Sequence, residues 1–172
     1  MNLADTIRGV PDFPIEGILF YDITTLLKNP VALKESIDQL TNHYRDAEID
    51  LIVGMESRGF IFGMPLAYQL GLGFIPIRKP GKLPAETIAE SYALEYGTNT
   101  LEVHVDAIQP GTKVLVVDDL LATGGTAKAT CNLIEKLGGT VAGLAFVIEL
   151  NFLNGRSVLE GYDIFSLLQY DD

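Results

Sequence analysis

Lys113 to Val117 (KVLVV) is an apolar, β-branched run with no polar alternation, and a helical stretch follows it within ten residues. A strand with one wet face alternates apolar and polar residues. A run without that alternation has to be covered on both faces, which is the mark of a buried parallel strand. The same arrangement recurs along the chain. Asp50 to Gly54 (DLIVG) reads as a buried strand before a helix over Phe60–Leu70, with Gly71 suited to its C-terminal cap. Phe74 to Arg78 (FIPIR) reads as another strand. A helix over Thr126–Leu137 ends at Gly138-Gly139 and leads to a further buried strand over Thr140–Leu150, and a last short one covers Phe165–Leu168. Pro30 to Arg45 places Val31, Leu33, Ile37, Leu40 and Tyr44 at amphipathic-helix spacing. Alternating strands and helices of this kind predict an α/β fold, a parallel twisted sheet flanked by helices.

The remaining segments are punctuated by breakers. Pro11 to Gly17 (PDFPIEG) is turn-rich, and the first twenty residues read as an appendage on the same domain. Lys79 to Pro84 (KPGKLP) reads as a loop. Ser91–Glu95 and Thr100–Val105 are predicted to form a hairpin around residues 96–99. With 172 residues, no internal repeat and no linker, residues 1–172 read as one domain. The net charge of −11 disfavours nucleic acid and anionic lipid as partners. Any anionic ligand would need a local cationic pocket. One cysteine, Cys131, can form neither an internal disulfide nor a cysteine metal site. Met1 to Val10 carries Asp5 and Arg8 and no long apolar run, so the reading is a cytoplasmic protein with no membrane role.

The chemistry is concentrated in Val114 to Ala127, VLVVDDLLATGGTA. The buried strand is expected to stop at Asp118 and Asp119. A loop of small residues, Ala122, Thr123, Gly124, Gly125 and Thr126, then opens a helix. Open α/β sheets bind ligands beyond the carboxyl ends of their strands. A helix N-terminus presents unpaired amides and partial positive charge, which suits a phosphate. No Gly-Lys-Ser/Thr follows, so this is not a Walker A loop, nor does it read G-x-G-x-x-G. Two acids beside a phosphate cup suit a sugar phosphate, because adjacent carboxylates can accept hydrogen bonds from vicinal hydroxyls. Upstream, Arg58 follows another buried strand, and its fixed fork of donors suits diphosphate oxygens.

VVDDLLATGGTA closely resembles the phosphoribosyl diphosphate signature of type I phosphoribosyltransferases, in the adenine branch of that family. Three further segments are similar to the same family, so the resemblance spans nearly the whole chain: Gly54–Gly63 (GMESRGFIFG), Ile77–Gly97 (IRKPGKLPAETIAESYALEYG) and Phe13–Asn29 (FPIEGILFYDITTLLKN). The resemblance implies the type I phosphoribosyltransferase fold with a small N-terminal hood, mainly residues 1–29, and a flexible lid at about 79–97. It implies that Asp118 and Asp119 hold the ribose hydroxyls while Ala122, Thr123, Gly124, Gly125 and Thr126 hold the 5-phosphate. It further implies a pyrophosphate loop at Glu56, Ser57 and Arg58, with Lys79 and Lys82 assisting from the lid. Leu19, Phe20 and Tyr21 of the hood, with Leu120, would face the purine, and Glu95 would handle the proton at the base. Many relatives carry Arg where this chain has Tyr21. The implied reaction joins adenine to phosphoribosyl diphosphate to give AMP and pyrophosphate. The implied cofactor is magnesium held mainly by substrate, and the implied assembly is a homodimer.

Two other readings stay open on sequence. One is a phosphoribosyltransferase for a 6-oxopurine (hypoxanthine, guanine or xanthine). The other is a non-catalytic regulator on the same fold, which the acidic charge and the lack of room for a DNA-binding module disfavour. His43, late in a helix, and His104, on the polar phase of a strand, carry no catalytic assignment.

Overall fold

The computed structural model describes residues 1–94 and 96–172. A 3-10 turn at Leu3–Thr6 leads into a hairpin of β1 (Arg8–Pro11) and β2 (Leu19–Asp22). Next come α1 (Thr24–Leu27), α2 (Pro30–Tyr44), β3 (Leu51–Met55), α3 (Arg58–Leu70) and β4 (Gly73–Ile77). A second hairpin, β5 (Thr87–Ala93) and β6 (Thr98–His104), precedes β7 (Lys113–Leu121), α4 (Gly125–Lys136) and β8 (Thr140–Leu150). Two 3-10 turns, Asn151–Leu153 and Gly155–Leu159, bring the chain to β9 (Ile164–Tyr170).

The central sheet has five parallel strands in the order β4-β3-β7-β8-β9. Side chains alternate across it with a period of two, so each strand feeds two cores. From β7, Val114 and Val116 join the core under α4 and the β5–β6 hairpin, while Leu115 and Val117 join the core under α2 and α3. All four are fully buried, and each contributes about 1.5–3 kcal/mol through removal from water. This double burial is why KVLVV has no polar phase.

The helices start and stop for local reasons. Pro30 sits at the first position of α2, where its missing N–H costs nothing, and the Asn29 side chain accepts from the Val31 and Ala32 amides. Gly71 closes α3 in the left-handed region, φ +69°. Gly124, φ +89°, stands at the N-cap of α4 and leaves its first turn with no side-chain cap. Among the described residues no helix is long and apolar enough to cross a membrane.

Two sequence expectations need correction. The central strand does not stop at the acids. β7 runs on to Leu121 because it keeps pairing with β8, Asp118 opposite Phe146 and Leu120 opposite Ile148. The second hairpin starts at Thr87 rather than Ser91, since β5 also pairs with the early residues of β6. The turn-rich appendage contains an ordered ribbon, β1 on β2, with Val10 opposite Phe20.

Candidate active site

Asp118 and Asp119 sit on the last stretch of β7, where the sheet opens at its carboxyl end. The Asp119 amide donates to Asp118 Oδ1 at 2.8 Å. Asp119 is 6% exposed, and its Oδ2 accepts from Arg58 Nε at 2.6 Å. Burial pushes the Asp118 carboxyl well above its usual range, and the neighbouring Asp119 charge pushes in the same direction. Arg58 is raised by its hydrogen bond to Asp119. Helix α3 starts at Arg58, so the strand-to-helix turn after β3 delivers the guanidinium to the acids of β7. Gly59 makes that approach possible. A Cβ there would stand 2.9 Å from the Val117 carbonyl and 3.1 Å from Asp118 Oδ1.

Beyond the acids lies a polar hollow of about 200 Å³, lined by Arg58, Asp118, Asp119 and the loop Ala122–Thr126. Its floor is the uncapped N-terminus of α4. The amides and partial positive charge of such a terminus favour a phosphate. The Thr126 hydroxyl is 2.7 Å from the Tyr92 hydroxyl, which joins the β5–β6 hairpin to the loop. From below, Gly124 lies against the Gly155 turn: an added Cβ would meet Val158 Cγ2 at 2.5 Å and the Gly155 carbonyl at 2.7 Å.

A second hollow of about 350 Å³ adjoins the first, mostly apolar, between the hood and the sheet end. Leu19, Phe20 and Tyr21 line it from β2, Leu120 from β7 and Leu150 from β8. Phe13 meets Phe20 edge to face, centroids 5.1 Å apart, and an aromatic wall of this kind suits a flat heterocycle. Arg58, Asp119 and Leu120 line both hollows.

The lysines are placed differently. Lys79 and Lys82 line neither hollow. They gather on Glu56, whose Oε1 accepts from the Lys79 amide at 2.7 Å and whose Oε2 accepts from Lys82 Nζ at 3.0 Å. Arg78 approaches the same carboxylate at 3.5 Å. Burial would raise the Glu56 carboxyl, but the Lys79 amide and the Lys82 ammonium outweigh it and hold the group below its usual value. Glu95 lies outside the described residues.

The structure thus brings together Arg58, Asp118, Asp119, Ala122–Thr126, Leu19, Phe20, Tyr21 and Leu120. Sequence reasoning missed Phe13, Ile18 and Leu150 as cleft residues and Tyr92 as the partner of Thr126. Phe13 carried a signal, an aromatic inside a proline-rich turn; Leu150 carried none. The histidines have structural tasks: His43 stacks on Phe165, and His104 Nε2 accepts from the Ala85 amide at 3.3 Å.

Residues 22–165 match the phosphoribosyl transferase domain family. An adenine phosphoribosyltransferase of Koribacter versatilis is 62% identical over 99% of this chain and 93% of its own length. One of Chloroflexus aurantiacus is 63% identical, with 98% of each chain covered. The chain belongs to the adenine phosphoribosyltransferase family. Solved structures agree. The adenine phosphoribosyltransferase of Thermoanaerobacter pseudethanolicus superposes with a TM-score of 0.95 at 54% identity, 98% of each chain covered. The Saccharomyces cerevisiae member, solved with an imino-altritol bisphosphate and adenine, gives 0.91 at 44% identity over 96% of each chain. The five-stranded parallel sheet and its flanking helices are the type I phosphoribosyltransferase fold of this family.

Proposed function

We propose that this enzyme transfers the 5-phosphoribosyl group of phosphoribosyl diphosphate to adenine, giving AMP and pyrophosphate. The observation that carries the reading is the pair of adjoining hollows, one polar and one apolar, with Arg58, Asp119 and Leu120 as their common wall. The polar hollow suits the sugar diphosphate. The α4 N-terminus at Thr123–Thr126 takes the 5-phosphate, and Asp118 and Asp119 accept from the ribose hydroxyls. The apolar hollow takes the purine between Phe20 and Leu120.

In the reaction, the bond from the anomeric carbon to the pyrophosphate oxygen breaks with its electrons on oxygen. A ring nitrogen of adenine forms the new bond, and its proton passes to the released pyrophosphate or to water. No protein nucleophile is needed. The protein holds the partners in line and offsets charge on the leaving group. Arg58 pairs directly with Asp119; Lys82 would join it on leaving Glu56, and Lys79 on movement of the loop whose amide Glu56 holds. Asp118 and Asp119 are hard oxygen donors of the kind magnesium accepts. No cluster of three or more potential metal-binding side chains occurs among the described residues, so substrate oxygens and water would complete the shell. Bound magnesium would draw charge from the departing pyrophosphate.

A homodimer belongs to the same reading. Ile61, Met64 and Tyr68 of α3 expose apolar surface suited to a partner copy, and sedimentation velocity measures the state. Cytoplasmic purine salvage is the matching role.

The base is the discriminating test. A pocket shaped to one hydrogen-bonding edge leaves groups unpaired with the wrong base, at about 1–3 kcal/mol per group. With phosphoribosyl diphosphate and magnesium, kcat/KM for adenine is expected to exceed that for hypoxanthine or guanine by about a hundredfold or more. Comparable values for adenine and hypoxanthine would place the chain among the 6-oxopurine enzymes, and no turnover with any base would point to a regulator.

A further inference from the structure

Tyr21 lines the base cleft, yet its side chain has a second engagement away from it. Its ring stacks on Tyr170 at the end of β9, centroids 3.9 Å apart and planes 22° apart. Its hydroxyl donates to the main-chain oxygen of Asp172 at 2.6 Å, a contact that spans 151 positions of sequence. Tyr170 itself does not line the cleft, but it is the strand partner of Leu150, which does. The last strand of the sheet therefore grips the hood on one side and supports the cleft on the other.

The hood needs such a grip. β1 and β2 form a two-stranded ribbon, which is marginal in water on its own. The Arg8–Asp22 ion pair ties β1 to β2 and leaves the ribbon's position over the sheet unspecified. Leu3 and Ile23, on either side of the ribbon, are anchored in the core, and stacking against Tyr170 adds a contact from β2 itself that fixes both distance and plane. The ring at position 21 thereby has a task that needs no contact with the base.

We propose that Tyr170 and Tyr21 form a clasp that sets the hood over the base, with Tyr170 a positioning residue for adenine that never touches it. The proposal rests on reading the apolar hollow as the base site. The clasp should be felt in adenine binding and not in phosphoribosyl diphosphate binding, because the phosphate loop lies on α4 and shares none of these contacts.

The test separates the two Michaelis constants. Tyr170→Ala is expected to raise the KM for adenine about three- to tenfold, the worth of one aromatic pair. The KM for phosphoribosyl diphosphate should stay within about twofold of wild type. Tyr170→Phe keeps the ring and should restore the adenine KM, while Tyr170→Leu keeps apolar bulk without the stack and should not. The Tyr21→Ala/Tyr170→Ala double variant should be no worse than Tyr21→Ala, since both remove one shared contact. Amide exchange in Tyr170→Ala should quicken over residues 8–22 and not over 122–127. An unchanged adenine KM in folded Tyr170→Ala or Tyr170→Leu, or an equal rise in both constants, overturns the clasp. Phe20→Ala is the control for the underlying reading. If it raises the adenine KM while Tyr170→Ala does not, the clasp alone fails; if it leaves the adenine KM unchanged, the base-site reading fails and the clasp with it.

Discussion

Arg58 and Asp119 come from different elements, α3 and β7, and meet at 2.6 Å, so the nearly inaccessible Asp119 carboxylate is matched by a cation. The guanidinium is the more open partner, its side chain 52% exposed, and it can turn toward an arriving diphosphate. Arg58→Lys keeps the charge and loses the planar fork. Initial-rate kinetics are expected to show kcat/KM for phosphoribosyl diphosphate falling about 10- to 100-fold, the range for a hydrogen bond to a charged group. Arg58→Ala should lose more and also lower Tm, because it strands the Asp119 carboxylate.

Asp118 predicts a conflict between stability and activity. Its folded-state pKa is raised, first by burial and then by Asp119. Below the ordinary aspartate pKa of about 3.9 both folded and unfolded states carry the proton, and no penalty exists. As pH climbs from there toward the raised value, the unfolded state ionises first, and stability falls across that window. Asp118→Asn removes the penalty. Thermal melts are expected to show a Tm above wild type at pH 7, by about 2–4 °C for a chain of this size, with the gap closing in acid while turnover collapses. A variant no more stable than wild type at pH 7 would mean the carboxylate is better accommodated than its surroundings indicate.

Gly124→Ala should damage the phosphate loop selectively. The position has φ +89°, and the new Cβ would lie 2.5 Å from Val158 Cγ2 and 2.7 Å from the Gly155 carbonyl. Strain of about 1–3 kcal/mol follows from the backbone alone. The expected result is a rise of tenfold or more in the KM for phosphoribosyl diphosphate, with the adenine KM much less affected. Steady-state kinetics with each substrate varied in turn would show it.

Glu56 is expected to restrain the loop that carries the lysines. Glu56→Gln weakens the hold on Lys79 and Lys82, so trypsin should cut the Lys82–Leu83 bond faster than in wild type. Phosphoribosyl diphosphate with magnesium should slow cutting in wild type if the loop closes on substrate. Time courses resolved by mass spectrometry decide both points.

What was legible in the sequence was what the backbone dictates locally. The strand cores at Val53, Val116 and Leu144 announce themselves because both faces are buried, and the acids, threonines and glycines read from the sequence as one site do line a single polar hollow. The continuation of β7 through Asp118 and Asp119 was not legible, since composition marks a break there and only the β8 partner keeps the ladder going. Nor was the fate of Lys79 and Lys82, whose carboxylate partner lies 23 to 26 residues upstream. Leu150 looks like any core leucine until the hood is laid over it.

On the proposed reading, base and diphosphate occupy hollows that share a wall. Arg58, Asp119 and Leu120 border both hollows, so the first occupant to arrive fixes side chains that the second must meet. Whatever factor the diphosphate adds to the grip on the base, the base returns to the diphosphate in equal measure, because the two orders of filling close one thermodynamic cycle. The same factor, whatever its sign, enters the release of either occupant while the other remains.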